Sequence, residues 1–186
     1  MRRKGKKISP KAGFDGMWEL LHIRKTQLKD LKKVMEIYGY ARERMRLSGN
    51  PNQWKDKHPA EEIIVNDIKN GNSYVYEREG EICGVFSFII GEDPTYKVID
   101  GQWLNDDKYG TIHRLASNGI AVGTFVKCLL FCESKITNIR IDTHEDNKIM
   151  IRLIESSGFT RCGIIHVADG SPRIAYQKVN KSLFKI

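Results

Sequence analysis

Apolar residues recur at helical spacing in the first third of the chain. A short apolar stretch at 19–24 predicts a strand, and Thr26 is then predicted to cap a helix. Gly49-Asn50-Pro51 ends that helix, and Pro59 opens a second predicted helix that stops at Gly71. The residues expected to face inward are Leu28, Leu31, Val34, Met35, Tyr38 and Met45 in the first helix, and Ile63, Ile64 and Ile68 in the second.

The pattern then changes to the two-residue period of strands. SYVYERE and EICGVFSFII flank Glu79-Gly80, which predicts a tight hairpin. An irregular stretch at 91–110 follows, rich in turn-forming residues. It also carries Tyr96, Trp103 and Tyr109, which either line a substrate site or cover the edge of the core.

Strands and helices alternate in the remainder. Strands are predicted at 111–117, 138–144, 159–167 and 172–179, and helices at 122–134 and 146–157. The last helix is expected to turn Ile149, Met150, Leu153 and Ile154 inward. This order predicts an α+β fold with a mixed sheet and helices on both faces.

Charge and composition restrict the class of protein. Residues 1–16 hold six Lys or Arg and one Asp, which accounts for +5 of the net charge of +8. We therefore predict a disordered basic extension at 1–16 and one domain at 17–186. Nucleic-acid binding is disfavoured because no aromatic residues are interleaved with these charges.

No apolar run is long enough for a membrane span, and no secretory signal is recognisable, which favours the cytosol. The cysteines lack metal-site spacing and are expected to be reduced and buried: Cys83, Cys128, Cys132 and Cys162.

The segment 139–159 contains the first candidate for ligand binding. Asn147 lies where a strand and a sharp turn lead into the last predicted helix. Such a position can direct one amide side chain at a ligand beside the sheet. It also suits an asparagine that only caps the helix.

Four separated motifs carry a family resemblance. They are GNPNQW (49–54), IHRLAS (112–117), DTHEDNKIM (142–150) and DGSPRIAY (169–176). With them, residues 21–178 resemble the GCN5-related N-acetyltransferase (GNAT) superfamily, and more closely a bacterial branch of it. The resemblance implies a mostly antiparallel central sheet that is splayed between two parallel strands.

The resemblance also implies acetyl-coenzyme A as co-substrate, without a metal. The pantetheine arm would pair with the backbone of Leu115, Ala116 and Ser117, and Asn147 would contact it. The pyrophosphate would rest on backbone amides of residues 118–124, where a helix begins and glycine permits close approach. In that loop the implied binding residues are Gly119, Val122, Gly123 and Thr124.

The phosphate loop departs from the family pattern at two positions. Ile120 stands where relatives have Arg or Gln, and Phe125 stands where they have a small residue. Ile120 cannot contact phosphate through its side chain, and Phe125 is expected to point into the core. A catalytically degenerate acyl-coenzyme A-binding or interaction module is therefore an alternative to an enzyme.

His113 is the predicted general base for an acetyl transfer to an amine. Imidazole titrates near neutral pH, and strand alternation would place His113 on the same face as Leu115. The alternative is a histidine bonded to neighbouring backbone. Arg114 would orient a carboxylate substrate or form an internal ion pair, and we favour the ion pair.

Other candidates for the chemistry carry less support. His144 and Glu145 are weaker candidates for the general base. Ile154 occupies the position of the tyrosine that serves as general acid in the family, which leaves Tyr176 or solvent to protonate the thiolate. The predicted function is acetyl transfer from acetyl-coenzyme A to an amine of a small molecule or protein, by direct attack in a ternary complex. No membrane partner is expected, and a homodimer is compatible with the sequence.

Overall fold

The computed structural model describes residues 21–180, so the predicted extension at 1–16 lies outside the described residues. One eight-stranded sheet has the order β1-β2-β3-β5-β6-β8-β7-β4. The strands are β1 (His22–Lys25), β2 (Ser73–Arg78), β3 (Glu81–Ile90), β4 (Asp100–Gly101), β5 (Gly110–Ser117), β6 (Asn138–Thr143), β7 (Thr160–His166) and β8 (Pro172–Val179). The helices are α1 (Leu31–Leu47), α2 (Glu61–Lys69), α3 (Thr124–Glu133) and α4 (Lys148–Ser156), with short 3-10 turns at Leu28–Asp30 and Pro94–Tyr96.

Helices cover both faces of the sheet, as predicted. On one face, α3 and α4 pack through Phe125, Cys128 and Ile154 onto the largest apolar cluster. On the other face, α1 and α2 pack a second cluster, which includes Tyr38 and Ile64, against β2, β3 and β5. The predicted fold class is confirmed.

The central feature of the sheet is its single parallel pair, β5 and β6. All other neighbouring strands are antiparallel. The pairing of β5 with β6 runs from Gly110–Ile139 to Ile112–Ile141 and then stops, although β5 continues to Ser117. The backbone of residues 113–117 therefore faces an opening on the β6 side, at the carboxyl ends of both strands.

A β-bulge in β5 lies at this opening. Ser87 pairs with His113 and Val85 pairs with Ala116, so β5 contains one residue more than β3 between these pairs. Arg114 takes up the extra length with a φ of 53°. A bulge changes the direction of side chains and breaks the two-residue alternation.

The bulge makes one sequence expectation wrong. His113 lies opposite Ser87, whereas Leu115 packs with the cluster that α3 and α4 cover. The two residues therefore lie on different faces of the sheet. Strict alternation predicted a shared face because the sequence gives no sign of a non-glycine residue with positive φ.

Several local predictions also need correction. Thr26 does not cap α1, because its hydroxyl lies 2.7 Å from the Ser73 hydroxyl and a 3-10 turn precedes the helix. Leu28, Ile63 and Ile149 are exposed rather than inward. In α4, Ile151 packs on the core instead of Ile149. The two-residue strand β4, which pairs with β7, was not predicted.

Turns and cysteines follow the sequence closely. Glu79 and Gly80 both have positive φ, as the hairpin requires, and Gly49 and Gly71 end their helices with positive φ. The four cysteines are free and buried.

No helix within residues 21–180 is long and apolar enough to cross a membrane. Within the same residues, no group of three His, Cys, Asp or Glu side chains is arranged to hold a metal ion.

Candidate active site

A cleft of about 430 Å³ lies at the opening between β5 and β6. Its lining includes Leu115 and Met150, which belong to the α3 and α4 side, and Met45 and Trp54, which belong to the α1 and α2 side. The cleft therefore connects the two faces of the sheet. Two reactants can approach the same point from opposite directions.

His113 and Asp93 form a hydrogen-bonded pair in the cleft wall. His113 Nε2 lies 2.7 Å from Asp93 Oδ2, and their side chains are 15% and 13% exposed. Burial favours the neutral carboxyl, but the hydrogen bonds from His113 and Thr95 outweigh it and lower the pKa of Asp93 to about 2. Asp93 is therefore ionised at neutral pH and can only accept a hydrogen bond, so Nε2 carries the proton. The other ring nitrogen, Nδ1, has no partner among the described residues and is the basic atom.

Asp93 is held in place by its own loop. Its amide donates to the Tyr109 hydroxyl at 3.0 Å, and its Oδ1 accepts from the Thr95 amide at 2.9 Å. The second contact is the cap of the 3-10 turn that Pro94 opens. Asp93 was not among the residues predicted from the sequence. Asp-Pro predicts a capped turn, but it does not indicate that the turn faces a histidine 20 positions later.

The aromatic residues of the 91–110 stretch cover the core edge rather than line the cleft. Tyr96 and Tyr109 are buried in a third cluster, and Trp103 stacks on Tyr96. Tyr96 still supports the site from beneath. Its hydroxyl donates to Asp142 Oδ1 at 2.6 Å, and its ring meets His113 edge to face.

Arg114 forms the internal ion pair that the sequence analysis favoured. Its guanidinium approaches Asp67 Oδ2 of α2 to 2.6 Å, and both side chains are largely buried. Ser87 donates to the same oxygen. Arg114 thus ties β5 to α2 and its charge is compensated within the protein.

Asn147 begins α4, as predicted, and its amide is already engaged. Its Oδ1 accepts from the Met150 amide at 3.1 Å, which is a helix cap, and its Nδ2 donates to Gln53 Oε1 at 2.8 Å. Asn147 also lines the cleft. The structure therefore shows the capping role, and one N–H of the amide group remains for a ligand.

The predicted phosphate loop lies beside the cleft at the end of β5. Gly119 and Gly123 have φ values of 79° and 75°, and Gly123 precedes α3 without a side-chain cap. The first amides of α3 therefore lack a capping partner, which suits an anion. Phe125 is buried, as expected, and Ile120 is 64% exposed. Of the other predicted residues, Ala116 is buried, Ser117 ends β5, Val122 is exposed and Thr124 is the first residue of α3.

Four weaker candidates do not reach the cleft. Tyr176 is buried in the largest cluster and donates to Glu155 at 2.9 Å; burial and this carboxylate raise its pKa to about 12. His144 is buried, and its Nδ1 accepts from the Asp146 amide. Glu145 is exposed and Ile154 is buried. None of the four lines the cleft.

The α1–α2 loop (residues 48–60) forms one wall of the cleft. Trp54 packs edge to face on Tyr38, and Gln53 receives hydrogen bonds from Asn50, Thr143 and Asn147. The Gln53 carbonyl also accepts from Arg173 of β8. Arg173 belongs to the motif at 169–176, but its position in the cleft was not predicted from the sequence.

Comparisons with known proteins show a structural similarity to one family. No protein-family model and no curated protein matches the chain. A GNAT-family acetyltransferase of Streptococcus agalactiae 2603 is 29% identical, with a TM-score of 0.76 over 87% of this chain and 96% of that one. A GNAT-family acetyltransferase of Listeria monocytogenes 4b F2365 is 22% identical, with a TM-score of 0.64 over 86% of this chain and 95% of that one. A ribosomal-protein-alanine N-acetyltransferase of Brucella melitensis is 19% identical, with a TM-score of 0.57 over 86% and 99%.

The last two likenesses concern the fold alone, whereas the first extends to the sequence. Sheet order and opened parallel pair agree with the fold of these acetyltransferases, and the similarity supports an acyltransferase. The chain is similar to GNAT-family acetyltransferases in structure, and the resemblance predicted from the sequence is confirmed.

Proposed function

We propose that this protein transfers an acetyl group from acetyl-coenzyme A to an amine, by direct attack within a ternary complex. The observation that carries the proposal is the His113–Asp93 pair at the opening between β5 and β6. The cleft joins both faces of the sheet there, so the two substrates can meet without a covalent enzyme intermediate. The four free cysteines support the cytosolic location that the sequence predicted.

His113 acts as the general base in this proposal. Asp93 fixes the tautomer that leaves Nδ1 unprotonated, and Nδ1 accepts a proton from the acceptor ammonium. The neutral nitrogen attacks the thioester carbonyl and a C–N bond forms. The C–S bond then breaks to release the thiolate, and the nitrogen gives its second proton to solvent to become the neutral amide. Solvent returns a proton to sulfur, because Tyr176 and Ile154 lie away from the cleft. The backbone groups of 113–117 that do not pair with β6 can hold the thioester and its pantetheine arm.

The amides at the start of α3 are the proposed support for the pyrophosphate. Asn118 Oδ1 already accepts from the Ile120 amide, which fixes the turn that leads to Gly123. A binding module without turnover is the second candidate. The exposed Ile120, which offers phosphate no polar side chain, favours it.

Calorimetry with acetyl-coenzyme A and a thiol-release assay over a panel of amines test the proposal. We expect His113→Gln to lower kcat roughly 100-fold or more, with little change in affinity for acetyl-coenzyme A. Asn147→Ala should show the reverse pattern. His166→Gln, at an exposed position of β7 that does not itself line the cleft, is the matched control.

Two results would contradict the proposal in different ways. If acetyl-coenzyme A does not bind at high micromolar concentration, the enzyme assignment is wrong. If acetyl-coenzyme A binds but no amine is acetylated, the binding module is favoured. Unchanged kcat in His113→Gln would remove His113 from the mechanism while leaving the activity in place.

A further inference from the structure

Arg173 is a buried cation in the wall of the cleft without a carboxylate partner. The residue is 6% exposed and lines the cleft from β8. Its Nη1 donates to Ser171 Oγ at 2.9 Å and to the Pro172 carbonyl at 2.8 Å, and its Nη2 donates to the Gln53 carbonyl at 3.0 Å. All three acceptors are neutral. Among residues 21–180, no Asp or Glu forms an ion pair with Arg173.

The other largely buried arginines have compensation that Arg173 lacks. Arg114 pairs with Asp67, and Arg24 pairs with Asp30 and Glu77. Arg140 lies between the rings of Trp103 and Tyr109, at 4.0 and 3.9 Å from their centroids. A buried charge without a counter-charge is unfavourable, so a cation exposed only to a cleft suggests an anionic ligand.

The guanidinium retains donors for such an anion. The three hydrogen bonds leave Nε–H and one Nη2–H without a partner among the described residues. These two groups form one edge of the guanidinium, which matches the two oxygens of a carboxylate. Burial lowers the pKa of Arg173, and the more distant Asp142 and Asp169 oppose this only in part.

Asp142 and His113 lie on the same face of the sheet as Arg173. Asp142 pairs with Ala175, so Arg173 is two residues along β8 and its side chain is on the same side as that of Asp142. Across the opening, Asp142 and His113 follow the last parallel pair, Ile112–Ile141. Asp142 accepts from Tyr96 through Oδ1 only, and Oδ2 has no partner among the described residues. The order across β8, β6 and β5 is therefore cation, anion, base.

We propose that the acceptor amine carries a carboxylate, which Arg173 binds while Asp142 receives the ammonium beside His113. This inference rests on the proposed acetyl transfer and specifies its substrate class as free amino acids and related small amino acids. β8 and β5 flank β6, so their backbones are roughly 10 Å apart, and the long arginine side chain spans part of that distance. A lysine side chain within a protein carries no carboxylate of its own at this range, so a small molecule is favoured over a protein acceptor.

Matched acceptors test the inference. γ-Aminobutyrate and butylamine share an aliphatic primary amine and differ only in a carboxylate that replaces a methyl group, as do β-alanine and propylamine. We expect wild-type kcat/KM to favour the amino acid in at least one pair by on the order of 10- to 100-fold. Arg173→Gln should abolish this preference. Arg173→Lys should retain part of it, because the positive charge remains but the bidentate hydrogen bond of the guanidinium is lost.

Two further variants separate recognition from structure. Arg161→Gln removes an exposed arginine of β7 that does not line the cleft, and the preference should persist. Asp142→Asn should raise KM for both members of a pair and leave their ratio unchanged. If Arg173→Gln does not fold, the ratios measured with Arg173→Lys and Asp142→Asn still decide the question.

The outcome can be distinguished from a failure of the proposed function. Equal kcat/KM within every pair, or an equal loss for both members in Arg173→Gln, would overturn the carboxylate site while acetyl transfer stands. If no turnover occurs, thermal-shift titrations of the protein with each pair replace the kinetics. Stabilisation by the amino acid alone, lost in Arg173→Gln, would support the site without catalysis, and equal shifts would reject it.

Discussion

His113 and Arg114 are consecutive basic residues on β5, and each has a carboxylate partner. Arg114 pairs with Asp67 of α2, which holds the bulge against the helix layer. His113 pairs with Asp93, which lies in a loop at the cleft. The Arg114 ion pair leaves no cation free for a ligand, whereas the His113 pair leaves one ring nitrogen free. Two adjacent residues therefore have different roles, one structural and one available for proton transfer.

The Asp93 contact predicts how stability depends on pH. The pKa of Asp93 is lowered from 3.8 to about 2 in the folded protein. Because the folded pKa is below the unfolded one, the contribution is complete above about pH 5 and is lost as the pH falls through 4 towards 2. The difference corresponds to ~2 kcal/mol, with about half lost by pH 3. Urea unfolding of wild type and Asp93→Asn from pH 7 to pH 3 measures it.

The difference in free energy of unfolding between wild type and Asp93→Asn should become smaller at low pH. Wild type should be the more stable at pH 7, and its advantage should shrink below pH 4. An advantage that stays constant over this range would mean that Asp93 does not owe its role to ionisation. The other acidic groups contribute equally to both proteins, so they cancel in the difference.

The sequence predicted the bases of the site better than their partners. His113 was identified because it lies on the central strand of a recognisable motif. Its partner Asp93 is fixed by a turn whose position depends on the hydroxyl of Tyr109, which pattern analysis does not show. Likewise, Asn147 was placed at a helix start, but its contact with Gln53, 94 positions away, follows only from the fold.

The strands and helices themselves were predictable where periodicity was strong. Strands β2, β3, β7 and β8 fall close to their predicted limits, because alternating apolar residues and Gly or Pro turns mark them. The bulge in β5 was not predictable, since it requires positive φ at an arginine. Its main consequence is that His113 and Leu115 line the cleft from opposite faces of the sheet.

The loop between β5 and α3 offers a matched test of phosphate binding. Gly119 and Gly80 have φ values of 79° and 82°. Alanine at either position should be strained by about 1–2 kcal/mol. A Cβ at Gly119 would lie 2.8 Å from the Tyr40 hydroxyl, whereas one at Gly80 would meet nothing within 4 Å. Only Gly119→Ala is expected to weaken acetyl-coenzyme A binding, on the order of 10-fold.

Calorimetric titration with acetyl-coenzyme A measures the affinity of both variants, and thermal unfolding measures their stability. A loss of acetyl-coenzyme A affinity in Gly119→Ala alone would place the loop at the cofactor, and the unfolding data show how much the Tyr40 contact adds to the shared backbone strain. Equal affinities in the two variants would contradict that placement, since both carry the same backbone strain.

The α1–α2 loop links the two halves of the molecule across the opened sheet. Trp54 packs on α1, while Gln53 contacts the end of β6, the start of α4 and Arg173 of β8. Exposed pairs add to this link, Asn52 with Asp146 and Lys55 with Asp169. Beyond Ile112, β5 and β6 no longer pair, so the loop supplies contacts that the sheet lacks there. The sequence predicted only that one helix ends at Gly49-Asn50-Pro51 and the next opens at Pro59, because the contacts of the loop depend on distant partners.

Gln53 is predicted to be the main polar contact of this link. Its Oε1 accepts from Asn147 at 2.8 Å, from Asn50 at 3.0 Å and from Thr143 at 3.4 Å. Gln53→Ala removes the common acceptor and leaves these donors unpaired, which should lower the free energy of unfolding by about 1–3 kcal/mol. Gln53→Glu keeps an acceptor and should retain most of the stability. Asn52→Ala removes only an exposed hydrogen bond and should change it by less than about 0.5 kcal/mol. Urea unfolding at pH 7 ranks the variants, and equal effects of Gln53→Ala and Asn52→Ala would show that the halves hold together without this contact.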